Sequence, residues 1–343
     1  MNYTNRYLTD LERIRHAVPE YSRLSGARIL VTGAGGLICS ALVDFLISLD
    51  LDIQVYAAGR SEEKLRARFA HWGNRLNFLR YDALEPLVLE QSFDYYIHGA
   101  SNAHPAAYSA QPVDTMLANL MGTEQILRHA ATHGGKRVLY ISSSEVYGKK
   151  EGSEAYREQD YGFVDILNPR ACYPCSKRAA ETLCAAYGQQ YGVDAVIVRP
   201  GHVYGPTATA ADTRASSQFP RDVLSGKDIV MKSAGTQLRS YCYVLDCVSA
   251  LVTVLLHGHR GSAYNISNPG SVVTIRQMAQ AFADAAGRQI VFENPTDAEA
   301  KSYNLMDNSA LDATALVALG WQGLFDLPAG VAATLDAMGD AQE

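Results

Sequence analysis

Short apolar runs and amphipathic stretches alternate along the first two hundred residues. Leu8, Leu11, Ile14 and Val18 share one side of a helix over 3–18, an N-terminal extension (1–26) suited to packing on a main domain or a partner subunit. Arg28-Ile-Leu-Val-Thr32 is expected as a buried strand, and a helix runs from the glycines after it to about Leu49. Gln54–Ala58, Asn77–Tyr81, Tyr95–His98, Arg137–Ser142 and Asp194–Arg199 read as further strands. Helices are expected over Ser61–His71, with Ser61 as N-cap, over Val113–Thr132 and over 172–191. Strand and helix in strict alternation predict an α/β domain with a doubly wound parallel sheet over 27–200. Beyond Pro200 the rhythm breaks: Gly, Pro, Thr and Ala dominate 201–217, and short strands and helices mix after that. Residues 201–343 are therefore expected as a smaller mixed α/β lobe over the carboxyl ends of the strands, exchanging some elements with the main domain. Residues 339–343 are expected to fray.

Composition adds exclusions. The chain has 343 residues, 48% apolar and 19% charged, enough for a sizeable core. A net charge of −6 without a basic stripe argues against nucleic acid as a partner. No apolar run is long enough to span a membrane, and the first eighteen residues lack the apolar centre of a signal peptide, so a cytoplasmic protein is expected. The six cysteines (39, 172, 175, 184, 242 and 247) form no disulfide framework. Cys172-x2-Cys175 has no second pair to complete a zinc site, so no metal is expected.

Chemistry concentrates in two places. Gly33-Ala-Gly-Gly36-Leu37-Ile38-Cys39 lies between a strand and a helix, where such a loop lets a pyrophosphate approach the backbone and face the helix N-terminus. A Rossmann dinucleotide site is expected there, with Cys39 in place of the usual third glycine. NAD is the expected cofactor. The second strand, however, ends in Ala58-Gly59-Arg60-Ser61 instead of an acid for the ribose hydroxyls, which leaves NADP open. Asp82, followed by Ala83, is placed to meet the adenine. The second place is Tyr173 and Lys177, four apart and so on one helical face. An ammonium beside a phenol favours the phenolate, and a serine from a nearby strand end can share the bond to a sugar hydroxyl. Alone, Tyr-x3-Lys is weak: a surface Lys one turn after a half-buried Tyr occurs in many helices.

With Ser142-Ser143-Ser144-Glu145-Val146-Tyr147-Gly148, Pro169-Arg-Ala-Cys-Tyr173, Gly235-Thr-Gln-x-Arg239 and Leu319-Gly320-Trp321 in the same order, residues 27–325 resemble the extended short-chain dehydrogenase/reductases acting on nucleotide sugars. The nearest pattern is that of UDP-glucuronate decarboxylase (UDP-xylose synthase). The resemblance implies that Tyr173, tuned by Lys177 and assisted by Ser143, takes the proton of the sugar C4 hydroxyl as C4 is oxidised. A C5 carboxylate is then a β-keto acid and loses CO2. Glu145 and Ser144 would position the ring and handle protons, and Arg239 would stabilise or protonate the C5 enolate, or else bind a phosphate. The same resemblance places Ala100, Ser101, Asn102, Asn119, Pro200 and His202 at the cofactor. It places His104, Tyr108, Arg170, His202, Arg214 and Arg239 at a nucleotide sugar, a UDP-sugar first among them. Two rival reactions are 4-epimerisation, which needs only Ser143, Tyr173 and Lys177, and 4,6-dehydration, which Ser144 in place of an acid disfavours. A non-catalytic nucleotide-binding scaffold is the rival from another class. A homodimer is implied across 113–132 and 172–191, with Leu117, Leu120, Leu183 and Tyr187 as contacts. The chain departs from the pattern at Cys39, Arg60, His202 (usually Asn), Thr207–Ala211 and Lys232, which bears on the substrate more than on the fold.

Overall fold

The computed structural model describes residues 3–295 and 306–339. The fraying expected of the last residues falls, from 340 on, outside them. The strands β1 (Arg28–Thr32), β2 (Gln54–Gly59), β3 (Asn77–Arg80), β4 (Tyr95–His98), β5 (Arg137–Ile141), β6 (Ala195–Pro200) and, later in the chain, β10 (Ala263–Ile266) form a parallel sheet. Its order is β3-β2-β1-β4-β5-β6-β10. The order reverses between β1 and β4, and a ligand crevice opens at their carboxyl ends. The edge strand β10 arrives from beyond Pro200, so the chain returns to the main sheet after building part of the lobe.

Helices cover both faces. On one side lie α2 (Leu37–Ser48) and α8 (Val244–His257), both nearly all apolar because each is wedged between the sheet and a further layer. That layer includes α1 (Asn5–Arg15), so the N-terminal extension packs on its own chain. On the other side α5 (Pro112–His133) lies against α6 (Cys172–Tyr191). The helix predicted to reach His71 stops sooner, as α3 (Glu62–Arg68), because the chain turns through a 3-10 segment holding Gly73 at φ +56°. A short helix the pattern had hidden, α4 (Pro105–Ala110), precedes α5 with a proline at its start.

In the lobe, β7 (His202–Tyr204), β11 (Val272–Thr274) and β13 (Asn308–Ser309) flank the central β9 (Leu238–Tyr243). There β8 (Ile229–Met231) pairs with β12 (Ile290–Phe292), while α7 (Ala215–Leu224) and α9 (Ile275–Ala285) pack alongside. The core is continuous between the main sheet and the lobe.

Candidate active site

The loop after β1 is shaped by close approach. Gly33 has φ +70°, and a Cβ there would stand 2.8 Å from the backbone of Gly99 and Ala100, at the end of β4. Gly36 is the N-cap of α2 and supplies no capping side chain, so the first-turn amides of Leu37, Ile38 and Cys39 lack a side-chain partner. Cys39 takes the place of the third glycine at a cost borne across the crevice. Its Sγ occupies the space a Cβ on Gly99 would need, so the small residue has moved from the helix to the facing strand end. This cradle fits a dinucleotide pyrophosphate.

From the cradle a cleft of about 1560 Å³ runs two ways. One arm passes Gly59, Arg60, Asp82 and Ala83; the other reaches the lobe at Arg214, Arg239 and Tyr241. Every residue assigned from sequence to catalysis, cofactor or substrate lines it except Asn119. Asn119 is 1% exposed and donates to Ser176 at 2.9 Å, behind the Tyr173 helix, so it steadies that helix and does not face the cleft. Asp82 accepts from the Leu84 amide at 3.0 Å, and Asn102 donates to Thr115 at 3.3 Å. Two polar atoms here, Ser101 Oγ and His104 Nδ1, are buried without a partner among the described residues.

At the junction of the arms, α6 presents Tyr173 and Lys177 beneath the end of β5. Lys177, 2% exposed, donates to the Ile141 carbonyl at 2.8 Å and lies 4.7 Å from the Tyr140 ring centroid but 5.9 Å from that of Tyr173. Burial draws its pKa down to about 8, with Glu181 opposing. Tyr173 is driven the other way. Burial and then the Glu145 charge push its phenol up to about 12, against a bond from Ser143 and the charges of Arg214 and Arg170. The phenolate expected from an adjacent ammonium is therefore not what the protein alone favours; desolvation outweighs the cations around it.

Glu145 is held bidentately by Arg170, at 2.9 and 3.0 Å, and receives the Tyr108 hydroxyl at 3.4 Å. Arg170 lies 4.5 Å over the Tyr108 ring, and Tyr108 stacks on Tyr173 with centroids 5.1 Å apart. The four side chains make one block beside Ser143, whose Oγ accepts from the Glu145 amide at 3.2 Å. Ser144 is buried behind it.

The lobe supplies cations. Arg214 is tied to Asp212, which also accepts from Ser217. Arg239 is 3% exposed and donates to its neighbour's carbonyl, Leu238 O, at 2.9 Å. No carboxylate among the described residues pairs with it, and burial draws its pKa down although Tyr241, Asp307 and Glu145 pull upward. His202 leans on Tyr241, and burial with the charges of Arg239 and Arg214 lowers its pKa to about 3, so it is a neutral imidazole. Sequence reading assigned no site role to Tyr241, nor to Gln237, although Gln237 stands in the Gly235-Thr-Gln-x-Arg239 motif. Both line the cleft, and Gln237 Oε1 is buried without a partner among the described residues. Their signal was the period of two through Arg239, since 237, 239 and 241 share one face of an extended chain.

Residues 29–267 match the model of the NAD dependent epimerase/dehydratase family. The chain belongs to that family. Among characterised members, UDP-glucuronic acid decarboxylase 1 of Xenopus tropicalis is 32% identical over 316 residues, 90% of this chain and 71% of that one. UDP-glucuronic acid decarboxylase 6 of Arabidopsis thaliana is 36% identical over 257 residues, 73% and 72% of the two chains. In fold, the UDP-glucose 4-epimerase of Thermotoga maritima superposes with a TM-score of 0.80 at 22% identity, covering 92% of this chain and all of that one. The Thermus thermophilus UDP-glucose 4-epimerase, solved with NAD, gives 0.76 at 25% identity over 91% and 98% of the two chains. As in other epimerase/dehydratase family members, the cofactor is a nicotinamide dinucleotide and the chain is an enzyme of nucleotide-sugar chemistry. Among the described residues, no helix is long and apolar enough to cross a membrane, and no cluster of side chains is arranged to hold a metal.

Proposed function

We propose that the protein decarboxylates a UDP-glucuronate-like nucleotide sugar. The observation that carries this reading is Arg239, a buried guanidinium without an ion-pair partner among the described residues. It lines the same cleft as Tyr173 and lies near enough to Glu145 to sense its charge. A cation left unpaired in a desolvated site favours a substrate that brings or develops negative charge there.

A nicotinamide dinucleotide held at the Gly33–Gly36 cradle and along Ala100 and Ser101 would supply the hydride acceptor for C4 and the hydride for its later reduction. Tyr173, sharing its bond with Ser143, receives the C4 hydroxyl proton, and Lys177 holds its place through Ile141. Once C4 is a ketone, the bond from C5 to the carboxylate breaks and its electron pair moves into the carbonyl. CO2 leaves and an enolate remains. Arg239 stands where that charge accumulates. Glu145, fixed by Arg170 and Tyr108, orients the ring, and Ser144 supports the loop that carries it. C5 is reprotonated, and Tyr173 returns its proton as C4 is reduced. Arg214 and the neutral His202 serve the diphosphate. Purified protein incubated with UDP-glucuronate and either NAD+ or NADP+ should yield a product lighter by one CO2, seen by mass spectrometry and absent with Tyr173→Phe. A product of unchanged mass at a new retention time would instead establish a 4-epimerase.

The relatives' names support the carboxylated substrate. We also infer a homodimer across α5 and α6. On α5, Val113, Met116, Leu117 and Met121 are exposed at 38–65%. Leu120, Leu183 and Tyr187 are half-buried beside them. Light scattering on the wild type should give twice the chain mass, and Leu117→Glu with Met121→Glu should give one chain; a wild-type monomer would refute the pairing.

A further inference from the structure

We propose that the adenosine arm of the cleft takes the 2′-phosphorylated cofactor, NADP, and that Arg60 is the residue that selects it. The inference rests on the reading of the cleft as a dinucleotide site but concerns a part of it remote from the sugar chemistry.

An NAD ribose is normally met at the end of the second strand by a carboxylate, which accepts from its hydroxyls. Here β2 ends at Gly59, and Arg60 and Ser61 follow; all three line the cleft, and none can accept as a carboxylate does. The Ser61 oxygen is already used, accepting from the Lys64 amide as N-cap of α3. The nearby acids are turned to other work or other places. Glu62 pairs with Arg66 at 3.4 Å, Glu63 does not line the cleft, and Asp82, one strand further out, accepts from Leu84.

The cations tell the complementary story. Arg68 lines this arm but is committed to Asp44 at 2.6 Å. Arg60 and Lys64 line it too, are exposed, and have no ion pair among the described residues. The guanidinium sits one residue past the strand end. That is where the ribose 2′ position is expected once the pyrophosphate occupies the Gly33–Gly36 cradle. A phosphomonoester there receives a planar, bidentate donor from Arg60 and a second charge from Lys64. A bare hydroxyl gains little from either. The likeness to proteins solved with NAD is one of overall fold, and a pyrophosphate cradle is common to both cofactors.

Calorimetry with adenosine fragments tests this without any turnover. Adenosine 2′,5′-bisphosphate should bind the wild type at least about tenfold more tightly than 5′-AMP, and NADP+ at least as tightly as NAD+. Arg60→Ala should bring the two fragments within about threefold of each other by weakening only the bisphosphate. Gly59→Asp restores an acid at the strand end and should turn the preference toward NAD+. Its new Cβ would meet only Leu65 side-chain atoms, the nearest at 3.4 Å, so the fold tolerates it. Equal fragment affinities in the wild type, a bisphosphate preference that survives Arg60→Ala, or no binding of either fragment would overturn the proposal. Fragments of this kind stop short of Tyr173. A protein that selects the 2′-phosphate but leaves UDP-glucuronate untouched would therefore sink the decarboxylase reading alone.

Discussion

At the scale of single residues, the site is governed by what neutralises Glu145. Its carboxylate is the charge that most raises Tyr173 after burial itself, and Arg170 is its bidentate partner. Removing the guanidinium leaves Glu145 uncompensated beside the phenol and frees its orientation. Arg170→Gln should lower kcat/KM roughly tenfold to a hundredfold, as a misplaced reacting group does. It should also move the rise of the pH–rate profile to higher pH, because the unpaired carboxylate holds the Tyr173 proton more tightly. Arg170→Lys keeps the charge and should restore the pH profile more fully than the rate. A profile unmoved in Arg170→Gln would show that Arg170 acts on stability alone.

At the scale of elements, a buried carboxylate binds three segments into one unit. Asp44 on α2, fully buried, accepts from the Tyr3 and Tyr7 hydroxyls at 2.6 and 3.0 Å, from Arg68 at 2.6 Å and from Trp72 at 2.8 Å. The N-terminal helix and the chain after β2 thus meet on one residue, beside the arm of the cleft that holds Arg60. Asp44→Ala leaves Arg68 without its partner and should cost about 3–5 kcal/mol in chemical denaturation. A loss under about 1 kcal/mol would mean that water satisfies Arg68 as well as Asp44 does. Neither Tyr3 nor Trp72 was singled out by pattern. Apolar spacing shows which side of α1 is buried but not which acid its hydroxyls will find.

Across the whole molecule, the sheet encloses titratable groups that favour neutrality. His98 on β4 is 1% exposed, bonded through Nδ1 to Thr32 at 2.7 Å and stacked on Tyr140. Burial, then Lys177, lowers its pKa from 6.5 to about 3. The unfolded chain therefore binds a proton below its ordinary value that the folded chain refuses. Stability falls as pH drops from 6.5 toward 3, by up to about 1.4 kcal/mol per pH unit for this group. His202 acts in the same direction. Asp246, raised to about 6 chiefly by burial, opposes them, since its folded form binds a proton that the unfolded chain releases. His129 and the paired carboxylates Asp94 and Asp212 are lowered too, against only Asp10 raised beside Asp246 among the described residues, which leaves net acid lability. Denaturant melts between pH 7 and 4 should show it, with a shallower slope in His98→Gln; an unchanged slope would mean that His98 titrates as if exposed.

The alternation of apolar runs, the glycine loop, Tyr173-x3-Lys177 and the motif order were enough to reach a doubly wound sheet, its dinucleotide crevice and the family. Local chemistry and period dictate the sheet and its crevice, while the family followed from the resemblance that the motif order carries. The sequence anticipated some exchange between lobe and main domain but could not show that β10 is the strand that joins the main sheet, that Asn119 donates to Ser176 on α6, or that Gly99 makes room for Cys39. Each depends on contacts between segments far apart in the chain. The state of Tyr173 belongs to the same class. Spacing brings an ammonium near the phenol, but only the tertiary structure decides how deeply both are buried and where Glu145 stands, and desolvation at that depth outweighs the attraction that spacing alone implied.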